Sequence, residues 1–496
     1  MEKRTIVTLN DGQYQGTVEE SGVLTFKNIP FAKAERWKRG VPVEAHEGIR
    51  QAEEFGPAPY QDPPDPFFAE RRGDLLSVPM DEDCLNVNIW TWDLETEKKA
   101  VLFWIYGGSY IGGYNYKYIN IPENLIKAHP ELVVVSCNYR VGVFGSLNLS
   151  ALTDDPDYAY SNNLALCDLL DGLRWTKDNI KAFGGDPENI TLYGHSAGSN
   201  AASQMLCMKA AKGLFKKAIC QSSFKPDLGT VALDTSLLVA KKFFELAGVK
   251  DLSEALALTP QQILDAQRGL FCYTYQGSRE SKMFSPVMDN LIVYEDDLER
   301  FCEGEINAEA LMFGSSLGEY DQMFLDMDEA ETKASVIKRN AGKHVTEADM
   351  DRFRGMHPEM TAKEAYVSVH NELGLILAGE MMARTAAEYI PVWQYVFRLE
   401  EDDGMRAIHG APMCYVFGRM MARRAPEKLV KEMMDTWAAF INNGNPNNPS
   451  IPEWPNYYAD GTVMCIDENW VPQENYWEND FAMWKERFPE HVLIKK

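Results

Sequence analysis

The sequence predicts an α/β protein: a doubly wound, mostly parallel central sheet with helical cap insertions and a small antiparallel sheet at its N-terminus. Three observations carry this reading. Strand-like and helix-like stretches alternate over most of the chain. Several strand-like stretches are continuous apolar runs, residues 101–106 and 132–137 among them, which suits strands covered on both faces. The short β-branched stretch 189–193 runs through Gly194-His195-Ser196-Ala197-Gly198 into a helix-prone run, 199–208. A strand, Gly-x-Ser-x-Gly and a helix in that order form a turn so tight that the serine's neighbours need little side chain. Such a turn holds Ser196 at its tip, above the C-terminal edge of a sheet.

The elements follow in order. Residues 5–30 read as a small antiparallel sheet with turn signals at Asp11-Gly12 and Ser21-Gly22. Residues 55–79 are rich in proline and charge, with Gln61-Asp62-Pro63-Pro64-Asp65-Pro66 at their centre, and read as a surface loop near the mouth of a cleft. Residues 85–90 alternate as a strand, and the two buried runs come next. Over 162–183 apolar residues recur at helical spacing (Leu166, Leu169, Leu170, Leu173, Ile180), and Gly184-Gly185 ends that helix before the serine strand. Further strands are expected at 217–220, 309–313 and 391–397, and mostly helical chain at 226–267 and 333–389. A last helix over 426–442 stops at Asn443-Gly444-Asn445-Pro446. No repeat or linker interrupts the pattern. One domain over 1–496 is expected, with cap-like helical material at 226–305 and 320–390.

Composition narrows the function. A chain of 496 residues with 45% apolar and 25% charged residues can bury a large core. Its net charge of -25 disfavours nucleic acid and anionic membrane surfaces as partners. No stretch has the length of a transmembrane helix, and no apolar region of a signal peptide follows Lys3-Arg4. The nine cysteines (Cys84, Cys137, Cys167, Cys207, Cys220, Cys272, Cys302, Cys414, Cys465) are scattered and show no CxxC spacing. A cytoplasmic protein without disulfides is expected. The histidines show no HExxH pairing, so no metal and no cofactor is expected.

A serine nucleophile needs a base within hydrogen-bond reach, and the base needs an orienting acid. Glu319 follows the strand-like run 309–313 in the loop Gly314-Ser315-Ser316-Leu317-Gly318-Glu319 and is the candidate acid, with Asp321 and Asp326 as rivals. His409 lies in the loop after the 391–397 strand and is the candidate base. His344, His357 and His370 sit in helical stretches and are worse placed. An oxyanion also needs donors. The N–H after the nucleophile, on Ala197, is one. The glycine-rich loop Tyr106-Gly107-Gly108-Ser109-Tyr110, directly after the strand at 101, offers more.

These residues resemble a known family. Lys27-Asn28-Ile29-Pro30-Phe31-Ala32, Glu82-Asp83-Cys84-Leu85, Tyr106-Gly107-Gly108-Ser109, Asn138-Tyr139-Arg140-Val141-Gly142, Phe183-Gly184-Gly185-Asp186-Pro187 and Gly194-His195-Ser196-Ala197-Gly198 follow one another as in the type-B carboxylesterases. That is the esterase–cholinesterase branch of the α/β-hydrolase fold, and the likeness is strongest to bacterial p-nitrobenzyl esterases. The resemblance implies a serine carboxylesterase acting on small-molecule esters through an acyl-enzyme on Ser196, with no membrane insertion. It implies Glu319 as the acid and His409, opening His409-Gly410-Ala411-Pro412-Met413-Cys414-Tyr415-Val416-Phe417-Gly418, as the base. It implies the N–H groups of Gly108, Ser109 and Ala197 as oxyanion donors, and Ser222 as a serine that hydrogen-bonds the acid.

The chain also departs from the family pattern. His195 stands where glutamate is usual, Ser109 where a third glycine is usual, and Pro412 at an acidic position. His195, on an elbow, is expected to point away from the attacked carbonyl and is not taken as the base. Asp74 stands where cholinesterases carry a choline-binding tryptophan, so no cation–π site for choline is indicated. The alternatives are an amide, carbamate or lactone hydrolase with the same triad, and a catalytically silent binding homologue. Tyr110, Tyr114, Tyr116 and Tyr118 suggest either an aryl-lined pocket or aromatic packing under a loop.

Overall fold

The apolar runs of the sequence lie at the centre of an 11-stranded sheet. The structure, a computed structural model, describes residues 3–487 apart from 65, 67–68, 70–73, 76, 223–229, 272–282, 402–403, 421–425 and 459. From edge to edge the strands are Trp470–Gln473, Val463–Ile466, Val392–Phe397, Ala310–Ser316, Lys217–Gln221, Gly185–His195, Lys99–Ile105, Leu132–Cys137, Asn86–Thr91, Leu24–Pro30 and Thr17–Val18. Those from Val463–Ile466 to Leu132–Cys137 are parallel to their neighbours in that stretch. The outer pairings are antiparallel. The strands Asn86–Thr91, Lys99–Ile105, Leu132–Cys137, Lys217–Gln221, Ala310–Ser316 and Val392–Phe397 are buried along their whole length. Covered on both faces, such strands need no polar side, which is why they read as unbroken hydrophobic runs. Each large apolar side chain buried this way, Phe103 and Trp104 for example, contributes roughly 1.5–3 kcal/mol.

The order of the strands decides where a site can form. From Lys99–Ile105 the chain goes outward to Leu132–Cys137, then crosses back to Gly185–His195 on the other side of Lys99–Ile105. The helix Leu164–Asn179 lies in that crossover, and Gly184, left-handed at φ 82°, ends the 3-10 turn Ile180–Phe183 that follows it. The C-terminal ends of Lys99–Ile105 and Gly185–His195 therefore flank a topological switch point, where open α/β sheets hold their ligands.

Three expectations are corrected in detail. The small N-terminal sheet pairs Ile6–Leu9 with Gly12–Gln15 antiparallel and adds Ile49–Gln51 in parallel, while Leu24–Pro30 leaves it for the large sheet. Leu24, Thr25, Phe26 and Ile29 are wholly buried, which a small surface sheet could not provide. The helix Glu427–Asn443 is not the last element: Val463–Ile466, Trp470–Gln473 and the helix Glu478–Trp484 follow. Four-residue strands are too short to carry a readable period. Gln61, expected in a surface loop, is buried.

The expected helical stretches contain Leu233–Ala247, Leu252–Leu256 and Pro260–Leu270, then Glu329–Arg339, Glu347–Met356, Ala362–Asn371 and Leu377–Ala387. Capping boxes at Thr259/Gln262, Asp328/Glu331, Thr346/Asp349 and Thr361/Glu364 fix where four of these begin. Cys272, Asp65, residues 226–229 and the rest of 272–282, all part of the sequence expectations, lie outside the described residues. Among the described residues no helix is long and apolar enough to cross a membrane.

Candidate active site

The strand Gly185–His195 delivers Ser196, and the helix Ala197–Met205 begins immediately after it. Ser196 has φ 56° and ψ -123°, a conformation L side chains adopt only under constraint. The constraint is visible. Its N–H donates to the Gln221 carbonyl on the neighbouring strand at 2.9 Å, and its carbonyl accepts from the Asn200 N–H at 2.9 Å. The turn closes because Gly198 has no side chain: a Cβ there would lie 2.1 Å from the Ile105 carbonyl oxygen. Gly198→Ala is expected to destabilise the fold by roughly 1–3 kcal/mol. Gly213→Ala, where nothing lies within 4 Å of the added atom, isolates the cost of a positive φ alone. A urea-unfolding midpoint that falls for Gly198→Ala well beyond the Gly213→Ala control confirms the expectation.

Directly against this turn lies the loop after Lys99–Ile105. A Cβ on Gly107 would come within 2.7 Å of Ser196 Cβ. Gly108, Ser109 and Tyr110 all have positive φ (142°, 55° and 58°). The Gly108 carbonyl accepts from the N–H groups of Ile111 (2.9 Å) and Gly112 (3.1 Å), so the loop folds on itself. Among the described residues the N–H groups of Gly108 and Ser109 have no protein acceptor. The Ala197 N–H, at the first position of its helix, has none within that helix. Three donors are thus left for an anion. Ser109 adopts its positive φ as a non-glycine residue, so the departure from glycine leaves the loop intact.

Three ties hold the loop. Tyr110 Oη donates to Asn200 Oδ1 at 2.8 Å, and the Gly142 N–H donates to the Tyr110 carbonyl at 2.6 Å. Gln61 donates to the Gly113 carbonyl (2.8 Å) and accepts from the Gly113 N–H (2.6 Å). Burial pushes the Tyr110 phenol well above its ordinary pKa, so it stays a neutral hydroxyl that can donate. Of the tyrosines of this region, Tyr110 and Tyr114 are buried, Tyr116 is half-buried and Tyr118 is exposed. The Tyr114 hydroxyl accepts from the Leu75 N–H at 2.9 Å. Tyr116 stacks on Phe55 with centroids 4.6 Å apart. Asp74 is buried and pairs with Lys117 at 2.9 Å, so a carboxylate and not an aromatic face fills that place.

Glu319 Oε2 meets His409 Nδ1 at 2.5 Å, and Glu319 Oε1 accepts from the Ser316 N–H at 2.7 Å. The carboxylate is fully buried and both its oxygens are engaged. The two loops that carry the pair are bound together, with the Gly318 N–H donating to the Ala407 carbonyl at 2.8 Å. The rival carboxylates lie elsewhere. Asp321 forms a bidentate pair with Arg406 (2.7 and 2.8 Å), and Asp326 is exposed. Sequence reasoning missed Arg406 and Asn371. Arg406 also donates to Ser368 Oγ at 2.7 Å. Asn371 Oδ1 accepts from the Tyr320 N–H at 2.9 Å, and Asn371 Nδ2 donates to the Leu317 carbonyl at 3.2 Å. The one available signal was an arginine three residues before the candidate base.

Ser222 does not hydrogen-bond the acid. Its Oγ is buried with no hydrogen-bond partner among the described residues. Pro412 opens the short helix Pro412–Val416, a position where proline's missing N–H costs nothing. His357 pairs with Asp480 at 2.8 Å. His370 Nδ1 lies 3.1 Å from Asn340 Nδ2, behind Tyr320.

His195 is buried, with its ring centroid 4.6 Å from that of His409. A Cβ on Gly107 would come within 3.0 Å of its Nδ1, and one on Gly410 within 3.1 Å of its Nε2. Oxyanion loop, elbow and base turn are therefore in mutual contact. A hydroxyl on a constrained turn, an imidazole whose Nδ1 is held by a carboxylate, and a set of free N–H donors together are suited to acyl transfer.

The chain matches the Carboxylesterase family over residues 3–484. Para-nitrobenzyl esterase of Bacillus subtilis (strain 168) is 29% identical over 496 aligned residues, which cover 95% of this chain and 96% of the relative. Phenmedipham hydrolase of Pseudarthrobacter oxydans is 26% identical, with 93% and 95% covered. The crystal structure of the carboxylesterase EST55 from Geobacillus stearothermophilus at pH 6.2 is similar with a TM-score of 0.84 at 26% identity, covering 97% of this chain and 100% of that one.

Proposed function

From the premise that the chain belongs to the carboxylesterase family and is a serine carboxylesterase acting on small-molecule esters, we propose that Ser196, His409 and Glu319 are its catalytic triad. The observation that carries this is the His409–Glu319 contact at 2.5 Å, in a turn that abuts the constrained Ser196 elbow through His195. With Nδ1–H held by Glu319, His409 keeps the tautomer in which Nε2 bears no proton and can accept one. Ser196 Oγ attacks the ester carbonyl as His409 takes its proton. The tetrahedral oxyanion accepts from the N–H groups of Gly108, Ser109 and Ala197, each worth roughly 3 kcal/mol of barrier. His409 returns the proton to the departing alcohol, and water then clears the acyl-enzyme by the same steps.

In the same reading the chain is one domain, and the helices within 226–305 and 320–390 cover the crevice. Gln267 Oε1, accepting from the Val143 N–H at 2.8 Å, and Asn371, tied to Tyr320 and Leu317, support that role. A cytoplasmic location is also part of the reading, and it is supported by the eight described cysteines, none of which is in a disulfide.

Glu319→Gln tests the triad. The amide keeps the shape but favours the wrong imidazole tautomer, so kcat on p-nitrophenyl butyrate is expected to fall about 10⁴-fold. A variant within tenfold of wild type overturns the assignment of the acid.

A further inference from the structure

The loop that carries Glu319 is gripped from one helix of the cap. Asn371 is wholly buried at the end of the helix Ala362–Asn371, and a π-helical turn, Glu372–Ile376, follows it. Its side chain holds the loop on both sides of the acid. Oδ1 accepts from the Tyr320 N–H at 2.9 Å, and Nδ2 donates to the Leu317 carbonyl at 3.2 Å and to Asp321 Oδ1 at 3.0 Å. The π turn adds a second contact. A Cβ on Gly374 would lie 2.7 Å from Tyr320 Cε2, so the loop rests directly on that turn. Turns of this kind inside a helix are frequent at functional sites.

The same helix reaches the loop of the base. Asp321, held by Asn371, takes both prongs of the Arg406 guanidinium at 2.7 and 2.8 Å. Arg406 returns to the helix through Ser368 Oγ at 2.7 Å. Asn371, Asp321, Arg406 and Ser368 therefore close a ring through one turn of helix. The ring joins the chain just after Glu319 to the chain just before His409. The two loops meet closely at Gly318, where a Cβ would lie 2.8 Å from Asp321 Oδ2 and 2.9 Å from Arg406 Cβ. We propose that Asn371 is a positioning residue of the triad, which acts through the Glu319 loop and the Asp321–Arg406 pair to fix the approach of Glu319 to His409. The inference rests on Glu319 and His409 being the acid and the base. The Asn371 bonds fall on Leu317, Tyr320 and Asp321, so they set the loop while the Glu319 carboxylate meets His409. A frame of this kind matters because a displacement of about 1 Å in a catalytic group costs about a hundredfold in rate.

The test is a double-mutant cycle on p-nitrophenyl butyrate turnover, with kcat taken per folded chain, for wild type, Asn371→Ala, Glu319→Gln and the double variant. Asn371→Ala is expected to lower kcat by about tenfold to a hundredfold while KM stays within about threefold. In the Glu319→Gln background, read at raised enzyme concentration, the same substitution is expected to cost less than about threefold, because the contact it serves is already lost. An equal loss in both backgrounds overturns the proposal, since a residue that only stitches the cap together lowers both alike. A folded Asn371→Ala protein with kcat within about threefold of wild type also overturns it. If Asn371→Ala does not fold, Arg406→Lys goes through the same cycle. Lysine keeps the charge beside Asp321 but cannot form the two parallel bonds. A loss of kcat confined to the Glu319 background supports the proposal, and an equal loss in both backgrounds, or none, overturns it. Failure of the triad reading looks different: Glu319→Gln alone would stay within about tenfold of wild type.

Discussion

Ser196→Ala is expected to lower kcat on p-nitrophenyl butyrate by roughly a millionfold, about 8 kcal/mol of barrier, while leaving the fold intact. The size follows from chemistry. Without the hydroxyl there is no acyl-enzyme, and what remains is the residual help of the oxyanion donors toward direct attack by water. Intact folding follows from geometry. The backbone at position 196 is held by the Gln221 carbonyl and the Asn200 N–H, neither of which involves Oγ. Alanine bears the same Cβ as serine and so the same strain at φ 56°. Turnover within a hundredfold of wild type in a folded Ser196→Ala protein would contradict the assignment of the nucleophile.

His409→Ala is expected to fall by a similar factor, again roughly a millionfold, because nucleophile and base act as one unit. The comparison that gives this result meaning is His195→Ala. His195 is the other imidazole beside the elbow. Glu319 sits on His409 Nδ1 at 2.5 Å, the carboxylate contact that orients a catalytic imidazole. His195→Ala removes packing against Gly107 and Gly410 and is expected to cost far less in kcat than His409→Ala. The reverse order, with His409→Ala near full activity and His195→Ala inactive, would exchange the two roles.

The fold was legible where burial is two-sided. Residues 101–105 and 132–137 could be read as strands because nothing on them faces water, and the crossover helix because its apolar residues return every three or four positions. Leu24–Pro30 was misplaced because the same alternation serves a surface hairpin and an edge of a large sheet. Only the packing of Phe26 and Ile29 separates the two. Val463–Ile466 was missed because four residues carry too little pattern.

The site was legible as a set of residues and less so as a set of contacts. Ser196 and the oxyanion loop announce themselves by glycines that backbone contact demands. Glu319 could not be chosen over Asp321 from local sequence, since both sit in one loop. Arg406, 85 positions away, pairs with Asp321, and that pairing supports the proposal of Glu319 as the acid. Whether Ser222 Oγ reaches the acid is a tertiary fact too, and here that hydroxyl is buried without a hydrogen-bond partner among the described residues. The approach of His195 to His409 depends on the meeting of two loops that are remote in sequence, and no spacing rule encodes it.

The most direct test of the account is intact-protein mass after treatment with a fluorophosphonate probe, run beside p-nitrophenyl butyrate turnover, for wild type and Ser196→Ala. One adduct per wild-type chain is expected, none on Ser196→Ala, and turnover lost together with the adduct. An unmodified, inactive wild-type protein, or an adduct that persists on Ser196→Ala, would contradict it.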